Sequence, residues 1–392
     1  MRILYCSTLC SEKVLKNLSK NTGTSLLGLT VQKFHRLIVK GFVANGIETT
    51  ALSVLPINNY GKVNKSVELQ SDKEDFITYL YVRSISVPLI KYLITCLDFI
   101  RKILKFTNVH KDAVIICDPL NITQCFSLYI IRFFLPKIYA IVTDIPGLMV
   151  GESKYIVRLI SSFHIHMISK FDGFVLLTKD MNNIINKSNK PYIIMEGLVD
   201  SSIIPESDVI DRERNIIYAG ALHEEYGVKK LIDSFRMIPD KDICLSIYGA
   251  GPMDSLIVQL SKEDTRIRYY GLVPNKEVIK KEVTALLLIN PRPSSYEFTK
   301  YSFPSKNMEY MASGTPLLTT KLPGMPDDYY EYVYTFEDET VYGMYLTILN
   351  TINLGINELI KKGRKSQQFV LSKKNNIVQT KRILELLVLN NI

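Results

Sequence analysis

Short apolar runs alternate with longer amphipathic segments through the first half of the chain. Buried strands are predicted for RILYCST (2–8), IETTALSVLP (47–56), DAVIICD (112–118), KIYAIVTDIP (137–146) and FDGFVLLTKDM (171–181). Segments with helical spacing lie between them, such as TVQKFHRLIVKGFVANG (30–46), which ends at a glycine. This alternation predicts a parallel sheet that is covered by helices on both faces.

A polar segment without period, SSIIPESDVIDRER (201–214), interrupts the alternation and is the predicted linker. Strands then resume at NIIYAGAL (215–222), DICLSIYGAGP (242–252), RIRYYGLVP (266–274), ALLLINPRP (285–293) and TPLLTTKLPG (315–324). We therefore predict an α/β protein of two doubly wound, Rossmann-like domains that face a central cleft. They span residues 1–205 and 206–370, and a helix at 371–392 returns to the first domain. Ligands of such sheets bind beyond the carboxyl ends of the strands.

Composition and charge limit the partners of the chain. Its 392 residues suit two domains, and 47% hydrophobic with 22% charged residues is a globular composition. The net charge of +9 indicates an anionic partner: nucleic acid, an acidic membrane surface or a phosphorylated ligand. No zinc-finger spacing or RNA-binding aromatic signature occurs, so no nucleic-acid partner is expected.

The cysteines and histidines predict no disulfide framework and no metal site. None of the six cysteines forms a CxxC pair, which is typical of a reduced, cytoplasmic protein. No cluster of histidine, aspartate and glutamate has the spacing of metal ligands. We therefore expect no metal and no required cofactor.

Three aromatic-rich segments with cations raise the question of membrane contact. They are residues 86–109, 126–138 and 153–171. The longest apolar region is cut by charges such as Lys91 and Asp98, so no transmembrane helix is expected. Basic amphipathic helices often lie in a membrane interface. The alternative, that these helices simply cover the first sheet, stays open.

The segment YSFPSKNMEYMASGTPLLTT (301–320) is the sharpest candidate for chemistry. Pro304 presets a helical φ, which places Ser305 and Lys306 in the first turn, where free N–H groups and the helix dipole favour an anion. Glu309 follows on roughly the same face and can accept hydrogen bonds from a sugar diol. Arg292 ends the preceding strand and adds a second cation. These groups suit a nucleotide diphosphate; the alternative is a surface helix with an i,i+3 Lys–Glu pair.

The loops after the other strands are weaker candidates. Gly220 lets backbone approach a ligand closely, whereas Gly249 and Gly251 form an incomplete dinucleotide fingerprint, because Asp254 occupies the third glycine position. Tyr270 belongs to a strand end, YYGLVP, whose backbone can read a base edge. For each of these loops a plain strand-to-helix turn is the alternative.

Two aspartates end strands of the first domain. Asp118 follows AVIIC and Asp144 follows AIVT. Either carboxylate can orient an acceptor hydroxyl, and either can instead cap the helix that follows.

The ordered segments YAGALHEEYGVKKLIDSF, IYGAGP, YYGLVPNKEV and SFPSKNMEYMASGTPLLTTKLPG resemble the second half of GT-B fold glycosyltransferases. The chain is most similar to glycosyltransferase family 4, in particular its bacterial surface-polysaccharide members. VTDIPG, FVLLTKDM and IIMEGLVD in the first half fit the same group more loosely. The resemblance implies a retaining transfer of a sugar from a nucleotide diphosphate to an acceptor hydroxyl. The second domain would bind the nucleotide and the first domain the acceptor.

The resemblance also assigns residues. Members usually carry two glutamates eight positions apart, and the second, which contacts the ribose, falls on Glu309. The first position holds Tyr301, so Glu297 is the candidate replacement. In many members a lysine precedes the glycine of the loop before the first helix of the second domain. In this chain Tyr226 precedes that glycine, Gly227. Arg292 and Lys306 are then the expected phosphate cations, with two lysines, Lys229 and Lys230, in reserve.

The sequence thus predicts a hexosyltransferase-type enzyme that uses a nucleotide sugar, most simply a UDP-sugar. The catalytic candidates are Arg292, Lys306, Glu297 and Asp144, and the donor-binding candidates are Gly220, Tyr248, Gly249, Tyr270, Leu272, Ser305, Lys306 and Glu309. The expected acceptor is a saccharide or a lipid-linked saccharide, and the expected location is the cytoplasm or the inner face of the cell membrane. Two alternatives remain: a sugar-nucleotide epimerase of the same fold, and a non-catalytic GT-B partner of a glycosylation complex.

Overall fold

The structure is a computed structural model that describes residues 1–22, 29–56, 66–67, 69–85, 87, 90–148, 155–203 and 212–389. It divides into two compact units, Met1–Leu198 with Asn376–Ile392, and Val199–Asn375. The sequence-based boundary between residues 205 and 206 lies outside the described residues, as does part of the predicted linker. Five positions of the aromatic-rich segments, 86, 88, 89, 153 and 154, also lie outside them.

The first unit is an α/β fold around one large sheet. Its strands are β1 (Arg2–Ser7), β2 (Thr49–Ser53), β3 (Ser66–Val67), β4 (Asp72–Glu74), β5 (Ile77–Tyr81), β6 (Ser84–Ile85), β7 (Ala113–Cys117), β8 (Ile138–Val142), β9 (Gly173–Leu176) and β10 (Tyr192–Ile194). Its helices are α1 (Glu12–Thr22), α2 (Leu29–Ala44), α3 (Ile90–Val109), α4 (Ile122–Ile131), α5 (Tyr155–Ile168), α6 (Lys179–Ile185) and α13 (Asn376–Leu389).

The large sheet has the strand order β10-β9-β8-β7-β1-β2-β5-β4. All described pairs in it are parallel except β4 with β5. Strands β2, β7 and β8 are buried along their length and β1 is buried from Ile3 onward, as parallel strands covered on both faces must be. The order reverses at β1, whose neighbours are β2 and β7.

The last helix belongs to the core of the first unit. Ile383 and Leu387 of α13 are buried in one cluster with Ile38 and Phe42 of α2 and with side chains of β1. The two helices cross closely at Gly41, where a Cβ would lie 2.4 Å from the backbone oxygen of Asn376. The expected return of the C-terminal helix to the first domain is confirmed.

The second unit is a doubly wound fold. Its strands are β11 (Glu213–Ala219), β12 (Cys244–Tyr248), β13 (Ile267–Gly271), β14 (Ala285–Asn290), β15 (Leu317–Thr320) and β16 (Tyr334–Phe336). Its helices are α7 (Val228–Arg236), α8 (Asp254–Glu263), α9 (Asn275–Thr284), α10 (Ser305–Ala312), α11 (Val341–Ile352) and α12 (Ile356–Lys373).

Its six strands are parallel in the order β13-β12-β11-β14-β15-β16. The chain moves outward from β11 to β13, then returns to start again at β14. The switch point lies between β11 and β14, and ligands of open parallel sheets bind beyond the carboxyl ends of strands at such a point.

Candidate functional site

Helix α10 begins where the sequence predicts, at Ser305 directly after Pro304. Pro304 has a φ of −67°, and its backbone oxygen accepts a hydrogen bond from the N–H of Asn307 at 2.9 Å. Met308 and Met311 face the core, whereas Ser305 is exposed. The start of this helix therefore presents a hydroxyl and first-turn N–H groups to solvent, which is the arrangement that favours an anion.

Tyr310 fastens α10 to the end of β11. Its hydroxyl accepts a hydrogen bond from the N–H of Ala219 at 2.7 Å and donates one to the oxygen of the same residue at 3.1 Å. Burial raises the pKa of Tyr310 well above its usual value, so the hydroxyl keeps the proton that it donates. The position of α10 is thereby set relative to the switch point.

A closed set of buried hydrogen bonds joins α10 to two further strands. Asn290 donates to the side-chain oxygen of Asn307 at 2.6 Å, and Asn307 donates to Thr319 Oγ1 at 3.3 Å. Thr319 Oγ1 donates in turn to the backbone oxygen of Asn290 at 3.1 Å. The end of β14, the start of α10 and β15 are thus held together. None of these three residues is among the candidates predicted from the sequence, where the only signal is an asparagine at the end of an apolar strand.

The two charged candidates of α10 contact each other. Lys306 Nζ lies 2.9 Å from Glu309 Oε2, so the i,i+3 pair considered as the alternative does form. Glu309 Oε1 accepts a hydrogen bond from Asn275 Nδ2 at 3.0 Å, and Asn275 begins α9. An i,i+3 helix pair of this kind contributes only about a few tenths of a kcal/mol, so a ligand can compete for both groups. The loop after β13 and the start of α10 are neighbours.

The loops after β11, β12 and β13 lie side by side. The Gly220 N–H donates to the backbone oxygen of Tyr248 at 3.0 Å, and the Gly249 N–H donates to the backbone oxygen of Gly271 at 2.8 Å. The rings of Tyr248 and Tyr270 stack with centroids 4.7 Å apart and planes 7° from parallel. Tyr248 is buried, which raises its pKa to about 12, whereas 47% of Tyr270 is exposed. An aromatic face is thus available beside these loops.

Loop packing accounts for the incomplete glycine fingerprint. Gly249 has a φ of +129°, and a Cβ there would lie 1.8 Å from the backbone oxygen of Gly220. A Cβ on Gly251 would lie 2.5 Å from the oxygen of Leu222. Only glycine permits these contacts, so both residues are explained by the touching loops without a dinucleotide.

Arg292 lies against the position where the family resemblance expects a lysine. Its guanidinium carbon is 4.5 Å from the ring centroid of Tyr226 and 5.6 Å from that of Phe298. The loops on both sides of the switch point touch there, because a Cβ on Gly227 would lie 2.1 Å from the oxygen of Pro291. The aromatic contacts hold a cation at the carboxyl end of β14.

The remaining candidates of the second unit are less connected to this group. Glu297 is exposed and begins a short 3-10 helix, Glu297–Lys300. Leu272 is 80% exposed beside Tyr270. Lys229 forms an ion pair with Asp233. Lys230 donates to the backbone oxygen of Glu339 at 3.2 Å.

Asp144 and Asp118 lie in the first unit and differ in surroundings. Asp144 is half-buried and its Oδ1 accepts a hydrogen bond from the N–H of Ile145 at 3.0 Å. Asp118 is buried and contacts His35 Nε2 at 3.1 Å, while Tyr5 contacts the other ring nitrogen of His35 at 2.7 Å.

The helix after β7 is capped by a residue other than Asp118. Asn121 precedes α4, and its side chain accepts a hydrogen bond from the N–H of Gln124 at 3.1 Å. The capping alternative for Asp118 is therefore wrong, because Asp118 lies too far upstream of the first helical turn. An asparagine directly before a helical run was the available signal.

Among the described residues, no group of three or more histidine, cysteine, aspartate and glutamate side chains is arranged to hold a metal ion. None of the helices in the described ranges has both the length and the apolar character needed to cross a bilayer.

Comparison with known proteins supports the resemblance. Residues 213–342 match the family described as "Glycosyl transferases group 1", a range that contains the loops after β11 to β14 and helix α10. No curated protein matches the sequence significantly.

Solved structures show the same fold over the whole length. Sucrose-phosphate synthase from Thermosynechococcus elongatus is similar with a TM-score of 0.68 and 12% identity, covering 100% of each chain. HepE from Anabaena, in complex with UDP and glucose, has a TM-score of 0.65 and 11% identity, also over 100% of each chain. A TarM mutant of S. aureus, in complex with fondaparinux, alpha-GlcNAc-glycerol and UDP, has a TM-score of 0.64 and 13% identity over 99% of each chain. The GT-B fold is confirmed.

Proposed function

We propose, from the GT-B fold and the glycosyltransferase match across residues 213–342, that the protein transfers a sugar from a nucleotide-diphosphate donor to an acceptor hydroxyl. A UDP-sugar is the proposed donor, because HepE and TarM bind UDP in their solved complexes. We further propose that the configuration of the sugar is retained and that the sugar is a hexose, as the resemblance to family 4 implies.

One hydrogen bond supports this proposal most directly. Asn290 and Asn307 are joined at 2.6 Å, which sets the strand end that carries Arg292 against the helix start that carries Ser305 and Lys306. Two cations, a hydroxyl and first-turn N–H groups thus belong to two segments that touch at the switch point. Such a combination suits a diphosphate better than a neutral ligand.

The reaction needs charge stabilisation more than a covalent nucleophile. When the sugar–phosphate bond breaks, its electron pair leaves with the diphosphate, and negative charge grows there. Arg292, Lys306 and the start of α10 would stabilise that charge in the transition state. The acceptor hydroxyl would then attack the sugar carbon from the face that the diphosphate leaves, and the leaving phosphate would take its proton. The reaction requires no reactant other than the donor and the acceptor.

The other candidates would hold the rest of the donor. Glu309 would accept hydrogen bonds from the ribose diol once its contact with Asn275 is exchanged. The exposed face of Tyr270, supported by the stacked Tyr248, would lie beside the base. Glu297 would reach the donor sugar in place of the glutamate that is missing at Tyr301, and Asp144 would orient the acceptor.

A panel of sugar nucleotides tests the activity. Each donor is incubated with the protein, with and without monosaccharide, oligosaccharide and lipid-linked acceptors, and the products are identified by mass spectrometry. Transfer yields free nucleoside diphosphate and a heavier acceptor. Epimerisation leaves donors of unchanged mass but altered sugar, and a non-catalytic partner consumes nothing. Failure to release nucleotide from any donor with any acceptor would overturn the proposal.

The acceptor and location are part of the same proposal. We assign a saccharide or lipid-linked saccharide acceptor, used in the synthesis of cell-surface polysaccharide. A cytoplasmic protein attached to the inner face of the membrane would meet such an acceptor. Exposed apolar side chains on helices of the first unit support this location.

A further inference from the structure

Three consecutive helices of the first unit form one outer surface. Helix α3 packs against α4, and α4 packs against α5. Ser127 of α4 contacts the thiol of Cys96 in α3 at 3.1 Å, and the ring of Tyr129 in α4 lies 6.4 Å from that of Phe163 in α5. We call these three helices and the short turn Arg132–Phe134 that follows α4 the α3–α5 surface.

The α3–α5 surface exposes large apolar side chains on every one of its helices. Leu93 and Leu97 of α3 are 61% and 57% exposed, and Ile156 and Leu159 of α5 are 69% and 55% exposed. Phe126 of α4 is 40% exposed between them. Single exposed apolar residues are normal on a protein, but a contiguous group marks an interaction site.

The turn after α4 carries the most exposed rings of this surface. Phe133 and Phe134 are adjacent and each is 80% exposed. The guanidinium carbon of Arg132 lies 4.0 Å from the ring centroid of Phe133, and Lys137 is exposed just beyond the turn. Aromatic rings beside cations are typical of segments that enter the headgroup region of a bilayer.

The charge of the α3–α5 surface is one-sided. Helix α3 has four basic residues and α5 has one, against a single acid, Asp98, which is itself ion-paired with Lys102. On α3 the outward row continues from Leu97 to Arg101 and Lys105, so cations border the apolar residues. An anionic surface complements this arrangement.

We propose that the α3–α5 surface docks the protein on an anionic phospholipid bilayer, with Phe133 and Phe134 entering the headgroup layer. A second copy of this chain fits less well, because a two-fold contact would bring two positive surfaces together. The proposal rests on the proposed function only for the reason to be at a membrane, since a lipid-linked acceptor would lie there. Docking itself needs no donor and is measured without one.

Vesicle flotation of the full chain tests the proposal. Vesicles of phosphatidylglycerol and phosphatidylcholine are compared with vesicles of phosphatidylcholine alone, at low and high salt. We expect flotation with the anionic vesicles, little with the neutral ones, and weaker flotation at high salt. Absence of flotation with anionic vesicles at low salt, or equal flotation with both compositions, overturns the proposal.

Paired substitutions locate the contact. Phe133→Ser with Phe134→Ser should weaken vesicle binding by about tenfold or more, because two rings leave the interface. Phe76→Ser, which removes a 94% exposed ring elsewhere in the first unit, should leave binding unchanged. Thermal unfolding should match wild type for both, since all three rings are exposed. Vesicle binding that ignores the double substitution would overturn the assignment of this surface.

Charge reversal separates the remaining outcomes. Arg101→Glu with Lys105→Glu should reduce anionic binding, whereas Lys361→Glu with Lys365→Glu, an exposed pair of equal spacing on α12, should not. Concentration-dependent dimers that the phenylalanine substitutions abolish, without vesicle binding, would assign the surface to a second copy and overturn the proposal. Nucleotide release without vesicle binding would overturn the docking proposal and leave the proposed sugar transfer standing. Vesicle binding without nucleotide release would overturn the proposed sugar transfer and leave the docking proposal standing.

Discussion

Lys306 and Glu309 are oriented before any ligand arrives. Their 2.9 Å ion pair and the bond from Asn275 to Glu309 keep both charged groups at the start of α10, beside the loop after β13. A donor would exchange these contacts for its phosphate and ribose groups. Little side-chain freedom would then be lost on binding, which favours affinity.

Lys306→Ala should lower turnover more than it lowers affinity for UDP. The negative charge of the diphosphate is largest in the transition state, so the lost ammonium costs most there, about a hundredfold in kcat. Initial rates of nucleotide release with the donor found in the panel, and calorimetric titration with UDP, measure the two effects.

Lys361→Ala is the matched control for this substitution. Lys361 belongs to an exposed i,i+3 pair with Glu358 on α12, so its removal disturbs a similar contact away from the site. Turnover should not change. A Lys306→Ala protein that folds normally and turns over at the wild-type rate would refute the assigned role.

At the scale of the element, buried polar side chains decide where α10 lies. Tyr310 bonds to both backbone groups of Ala219, and Asn307 bonds to groups of β14 and β15. Each of these bonds crosses between segments distant in sequence. The start of the helix, where we propose that the diphosphate binds, is therefore positioned from its buried side.

Tyr310→Phe should destabilise the second unit by about 1–3 kcal/mol, because the buried N–H and oxygen of Ala219 lose their partner. Tyr342→Phe, which changes an exposed ring on α11, should have no effect. Urea unfolding followed by circular dichroism measures the difference. Equal stability of the two variants would show that the hydroxyl does not hold α10.

Helix α10 shows which features of the candidate site can be predicted from the sequence and which cannot. Its start at Pro304 and Ser305 follows from local rules, since proline presets φ and the apolar spacing continues behind it. The partner of Tyr310 does not follow, because Ala219 lies 91 residues away and only the packed fold brings it close. The same holds for Arg292, whose aromatic neighbour Tyr226 comes from another loop.

At the scale of the whole molecule, the two sheets follow from strand alternation, but the glycines needed the structure. Gly249 has the spacing of a ligand-binding fingerprint, and its actual constraint is the oxygen of Gly220. The sequence indicates that a side chain is excluded at such a position. It does not indicate whether a ligand or another loop excludes it.

The core of the first unit depends on its last helix, which gives a stability prediction. Leu387 is fully buried in that core, so Leu387→Ala should cost about 2–5 kcal/mol. Val388→Ala, at the next position but 50% exposed, should cost far less. Limited proteolysis within residues 1–198 and thermal unfolding measure both. Similar protease resistance for the two variants would contradict the role of α13 in this core.

Because α13 follows the entire second unit along the chain, the ribosome releases it only after residues 199–375 have been made. Until α13 leaves the ribosome, the apolar face of α2 that it covers stays exposed in the nascent first unit. The second unit is continuous and can fold while synthesis proceeds. The second unit can therefore complete its fold before the first, although it is synthesised later. A chaperone that shields apolar surface is then needed longest by the residues that are made first.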